Sequence, residues 1–113
     1  MPVKEGFFYA DLIRSWEVPV VVVSRLALGT INHTLLTTGY LGSIGARVLG
    51  VVLNDTEGLI DAASRTNPEM LKKYLDVPLL GVFPHTPGIF EDGVDRQRLA
   101  DIFEKYINCD PFE

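Results

Sequence analysis

The sequence predicts an α/β domain in three layers, a parallel sheet with helices flanking it. Three observations carry that prediction. Val20–Val23, Val48–Leu53 and Leu79–Phe83 are short runs, apolar at nearly every position, as strands buried on both faces are. Segments with helical spacing separate them. Strands joined by helices imply right-handed crossovers, and therefore parallel strands.

The elements follow in order. Met1 to Gly6 reads as short, irregular and extended. Phe7 to Trp16 places Phe7, Phe8, Leu12, Ile13 and Trp16 on one stripe of an amphipathic helix, with Asp11 and Arg14 off it. Glu17 ends that helix and Pro19 resists its continuation. Val20–Val23 is the first strand of the sheet. The next helix runs from Ile31 to Ser43, with Ile31, Leu35, Leu36, Leu41 and Ile44 inward, and Gly42 and Gly45 stop it. Val48–Leu53 is the second strand and leads into the polar loop Asn54–Gly58. Leu59 to Ser64 reads as one or two helical turns. Asn67-Pro68-Glu69 reads as a helix opening, with Asn as the cap and Pro at the first helical position. Met70, Leu71, Tyr74 and Leu75 form the inner face of that helix. Leu79–Phe83 is the third strand, and Pro84–Gly88 a loop rich in breakers. Asp95 to Ile107 is the last helix, with Leu99, Ile102, Phe103, Tyr106 and Ile107 inward.

Composition narrows the function. The chain has 113 residues, the size of one small domain. No apolar run approaches the roughly 20 residues of a membrane-spanning helix. Cys109 is the one cysteine, so neither an internal disulfide framework nor a cysteine-based metal site forms, and a reducing, cytoplasmic setting fits. Net charge is −5. No basic stripe with interleaved aromatics is present, which argues against a nucleic-acid partner. His33 and His85 are too few and too far apart to argue for a metal site. Neither G-x-x-x-x-G-K-[ST] nor G-x-G-x-x-G occurs.

Ligands on parallel sheets sit beyond the C-terminal ends of the strands. Those ends carry Ser24–Thr30, Asn54–Gly58 and Pro84–Gly88, which should open on one edge. The first loop leads straight into a helix at Gly29-Thr30-Ile31-Asn32. A helix start leaves about four backbone N–H groups without intrahelical partners and carries roughly half a positive charge. Gly29 admits close approach, and Thr30 or Asn32 caps the helix. The stretch therefore suits a carboxylate or phosphate. On physics alone it reads more readily as a turn and cap that bind nothing, since most capped helices bind nothing.

Leu28-Gly29-Thr30-Ile31-Asn32-His33-Thr34-Leu35-Leu36-Thr37, after Val20–Val23, resembles the hallmark segment of the dethiobiotin synthase family. Gly50-Val51-Val52-Leu53-Asn54 and Pro78 to Pro84 are similar to that family in order and spacing, and Pro2-Val3 through Leu12 also matches. The resemblance implies the second half of a P-loop NTPase-like fold, with residues 1–113 as the C-terminal portion and the phosphate-binding half absent. It implies an ATP- and Mg2+-dependent ligase that closes the ureido ring of dethiobiotin from 7,8-diaminopelargonate and carbon dioxide. Gly29, Thr30, Ile31 and Asn32 then match the substrate-carboxylate site, donated across a homodimer. Asn54 and Asp55 match the adenine-reading position, and Phe83, Pro84 and His85 the loop against the base. The catalytic lysines and Mg2+ ligands belong to the absent half. The resemblance thus implies no catalytic or metal-binding residue in this chain, and no ligation without a complementing N-terminal half. Two other readings stay open: a cobyrinate-type synthase fragment, and a non-catalytic dimerisation or nucleotide-sensing module.

Overall fold

The computed structural model describes residues 2–4, 7–27, 29–56, 58, 62–88, 93 and 95–112. The chain opens with a small antiparallel hairpin, Pro2–Lys4 (β1) against Phe7–Phe8 (β2). The first helix, Tyr9–Trp16 (α1), therefore starts two residues later than its apolar spacing predicts, because Phe7 and Phe8 pair as strand. The Asp11 carboxylate accepts the Phe8 N–H at 2.8 Å and closes the first turn. Glu17, at φ 53°, turns the chain out of the helix, as expected of its position. Trp16 is exposed rather than inward, while Ile13 packs on the core.

The sheet is Val20–Arg25 (β3), Val48–Asn54 (β4) and Leu79–Phe83 (β5), parallel throughout, in the order β3-β4-β5. Thr30–Ser43 (α2) links the first two strands and Ala62–Tyr74 (α3) the last two. Arg96–Tyr106 (α4) follows β5, and a short 3-10 turn, Asp110–Phe112, ends the described chain. One face of the sheet packs Val22, Leu41 and Val51 with Ile13, Ile44 and Leu75. The other packs Val52, Leu80 and Ile107 with Val21, Phe83 and Phe103. Helices thus lie on both faces, giving the expected three layers.

Burial departs from expectation at particular residues. Continuous apolar composition predicts a β3 covered on both faces, yet Val23 is 64% exposed. β4, with neighbours on both sides, is the strand that fits the expectation. Leu36, assigned inward, is 71% exposed, and the buried positions of α2 are Thr30, Thr34 and Leu41. The helix contains no Lys, Arg, Asp or Glu, so its sequence has no charged face to set its rotation. In α3, Met70 and Tyr74 are exposed while Leu71 is fully buried. Pro68 lies within α3, and neither it nor Asn67 opens the helix. Proline's φ suits a helix, and the cost is one lost N–H donor and local crowding. Leu71, one turn further on, anchors the segment in the core. Leu59, Ile60 and Asp61 lie outside the described residues.

In α4, Asp95 is the N-cap and accepts the Arg98 N–H at 3.0 Å. Ile107 is buried but Tyr106 is exposed. Beyond α4 the chain runs back along β5. Ile107 bridges Gly81 in antiparallel sense, and Asn108 donates its N–H to the Leu80 carbonyl at 2.8 Å. Gly81 makes this approach feasible: at φ +148° it stands so close that a Cβ would lie 2.1 Å from the Tyr106 carbonyl oxygen. The β5 edge is thereby sealed, while the β3 edge carries no further strand among the described residues.

Candidate functional site

The parallel register brings the three loops to one edge, as the sequence predicts. Leu26 donates its N–H to the Asn54 carbonyl at 2.9 Å, and Asp55 donates to the Phe83 carbonyl at 2.9 Å. These bonds carry the ladder past the strand ends and lock the loop starts together. The Asp55 carboxylate then accepts the Gly58 N–H at 2.8 Å, which folds the second loop into a tight turn. Gly58 lies beneath His85: a Cβ there would stand 2.9 Å from the imidazole Cδ2. The second and third loops are therefore in contact.

Each predicted adenine-side residue has a definite place. Asn54 and Asp55 are half-buried at the end of β4. Pro84 is half-buried and His85 exposed. The Phe83 ring packs inward, 6.4 Å from Phe103 between centroids, and Phe103 continues to Phe112 at 6.3 Å. Phe83 thus fixes the base of its loop, and Pro84 and His85 form its outer surface.

The first loop is held from beneath. The Thr30 hydroxyl donates to the Arg25 carbonyl, and the Thr34 hydroxyl to Ser24 Oγ at 2.8 Å. Thr34 is 1% exposed. Thr30 therefore does not cap α2, since its side chain points back to β3. The N-cap is Gly29, which makes no side-chain cap bond and sits at φ +85°. Asn32 is exposed on the first turn. The four socket residues are not equivalent. Thr30 is buried and its N–H already donates to the Ala27 carbonyl at 3.2 Å, whereas Gly29 and Asn32 face outward. Of these four residues, Thr30 has its amide already paired. Ser24, Thr34 and Gly58 are the site-supporting residues that sequence reasoning did not single out. Ser24 follows directly on Val20–Val23, and Thr34 lies within the stretch Leu28–Thr37, four residues after Thr30.

Among the described residues no group of three His, Cys, Asp or Glu side chains stands close enough to hold a metal ion. None of the described helices is long and apolar enough to cross a membrane.

A family profile described as an AAA domain matches residues 1–91. The chain belongs to this AAA-domain family. Within it, the chain is similar to curated dethiobiotin synthetases. It is 36% identical over 112 residues to the ATP-dependent dethiobiotin synthetase BioD of Bacillus velezensis, covering 99% of this chain and 46% of that protein. It is 44% identical over 84 residues to the BioD of Bacillus licheniformis, covering 74% of this chain and 36% of that protein. Against the BioD of Thermodesulfovibrio yellowstonii it is 42% identical over 101 residues, covering 87% and 42%. The chain therefore spans less than half the length of the curated relatives it matches. Its parallel three-stranded sheet with helices on both faces is the α/β architecture expected for the AAA-domain family.

Proposed function

We propose that this chain is the C-terminal portion of an ATP-dependent dethiobiotin synthetase, the enzyme of biotin synthesis that closes the ureido ring on 7,8-diaminopelargonate. In this reading it supplies the adenine-side and carboxylate-side contacts. The observation that carries the proposal is the joining of three loops at one sheet edge by the Leu26–Asn54 and Asp55–Phe83 backbone bonds. The names of the similar proteins support the choice of ligase. Asn54 offers an amide that both donates and accepts, as a purine edge requires. Pro84 and His85 present an outer surface for the base. Gly29, Ile31 and Asn32 offer the outward part of a helix start to the substrate carboxylate.

The residues present fit the nucleoside end of ATP. Phosphoryl transfer depends on positioning and charge neutralisation, so in this reading ligation draws its phosphate-binding and metal-holding groups from beyond the described residues.

The carboxylate contact is donated across a homodimer in this reading. Support comes from α2, whose solvent side carries Leu36 and Tyr40, both more than half exposed, on a helix without Lys, Arg, Asp or Glu. An exposed apolar helix face is consistent with an interaction surface. The setting consistent with a single cysteine is cytoplasmic.

Calorimetric titration of the 113-residue chain tests the proposal. ATP should bind, GTP should bind more weakly, and Asn54→Ala should lower ATP affinity roughly tenfold. Absence of ATP binding, or an Asn54→Ala variant that binds ATP as well as the parent chain, refutes it.

A further inference from the structure

We infer that Arg25 is a further nucleotide-binding residue, one that takes the phosphate-bearing side of the nucleotide whose base lies on Asn54 and the loop after Phe83. This rests on the nucleotide reading above and extends it to a residue that neither the loop pattern nor the matched motif assigns.

The argument begins with register. Arg25 pairs with Asn54, and Asn54 with Phe83, so the three residues form one row across β3, β4 and β5 at the C-terminal edge. They also share a face. Val21 packs on the α4 side, and strand alternation carries Val23 and Arg25 to that side. Val52 packs there too, and alternation carries Asn54 with it. Phe83 packs there directly, against Phe103. A cation, an amide and an aromatic loop base thus stand side by side, with neighbouring strands about 4.8 Å apart. A base on the Asn54–Phe83 end places the rest of its nucleotide beside β3 or beyond β5. The β5 edge is sealed by Ile107 and Asn108. On the β3 side of this face Val23 and Arg25 are both exposed.

Chemistry selects the same end. Arg25 is the one Lys or Arg within Ser24–Thr30, Asn54–Gly58 and Pro84–Gly88. The chain carries a net charge of −5, so a polyphosphate needs a local cation to approach. Guanidinium presents a planar fork of donors that matches phosphate oxygens. The Arg25 backbone is also fixed. Its carbonyl accepts from both the Thr30 hydroxyl and the Ala27 N–H, and the next residue, Leu26, donates to Asn54. The side chain therefore starts from a defined point beside the base site.

Titration of the chain and its Arg25→Gln and Arg25→Lys variants with ATP and with adenosine tests the assignment. Arg25 is exposed, so both variants should keep the parent circular dichroism spectrum. Arg25→Gln should lower ATP affinity about tenfold and leave adenosine affinity unchanged. Arg25→Lys should fall between, having the charge without the fork. ATP binding should weaken with added salt less steeply in Arg25→Gln than in the parent. Equal losses for ATP and adenosine, or no loss for ATP, overturn the assignment. If Asn54→Ala weakens binding while Arg25→Gln does not, the Arg25 assignment alone fails. A parent chain that binds neither ligand refutes the nucleotide reading itself, and this assignment with it.

Discussion

Thr34, itself buried, donates its hydroxyl to the half-buried Ser24 Oγ at 2.8 Å, across ten positions of sequence. The bond pins the first turns of α2 to the end of β3, and so fixes the direction in which the helix start faces. Thr34→Val keeps the shape and removes the donor, leaving Ser24 without that partner. The expected cost is about 1–2 kcal/mol, read as a lower midpoint in urea unfolding. Thr34→Ser should recover most of it, because the hydroxyl survives.

Gly29 adopts φ +85°, and this changes what a substitution there tests. Gly29→Val would block a carboxylate while leaving the fold largely intact only if φ at this position were not positive. The condition fails. The nearest atom to an added Cβ is His33 Cε1 at 4.0 Å, so the penalty comes from backbone strain and not from collision. Gly29→Val should cost about 1–2 kcal/mol, and Gly29→Asn less, since asparagine tolerates this region better. Thermal unfolding of the two variants checks the order.

Gly81→Ala should be the more damaging glycine substitution. It combines an unfavourable φ with a Cβ placed 2.1 Å from the Tyr106 carbonyl oxygen. Either α4 backs away or the bridge to Ile107 opens. A loss of about 3 kcal/mol follows. Hydrogen exchange should show lost protection at the Asn108 amide, which donates to Leu80 in the parent.

Leu36→Glu places a charge on the uncharged outer side of α2, where Leu36 is 71% exposed. If two copies meet through this face, the variant should sediment as a monomer at concentrations where the parent chain is a dimer. Stability should change by no more than about 0.5 kcal/mol, as for other surface substitutions. Identical sedimentation of variant and parent removes this face from the dimer.

Most of the fold was legible because three apolar runs, each of strand length, alternate with helical spacings. Composition reveals that a strand is apolar but not which of its neighbours are present. That is why Val23 reads as buried when β3 is the outer strand of the described sheet. Leu36 fails for a related reason: α2 has apolar residues on several faces and no charge to mark the wet one. At Pro68 the local signal marks a helix opening, whereas the helix already runs from Ala62 and takes in Ala62 to Ser64, part of the turns that Leu59 to Ser64 suggested. The loop cluster was legible from topology alone. The contact between Gly58 and His85 was not, since it depends on how tightly the Asp55 turn closes. Thr30 shows the same limit, because nothing local reveals that its hydroxyl points back to Arg25.

The antiparallel rung that Ile107 and Asn108 lay along β5 acts as a terminator. A ribbon stopped at one margin has only the other through which to grow. Among the described residues of this three-stranded sheet, β3 is the margin that carries no such rung. A strand added to this sheet therefore meets less obstruction there than along β5.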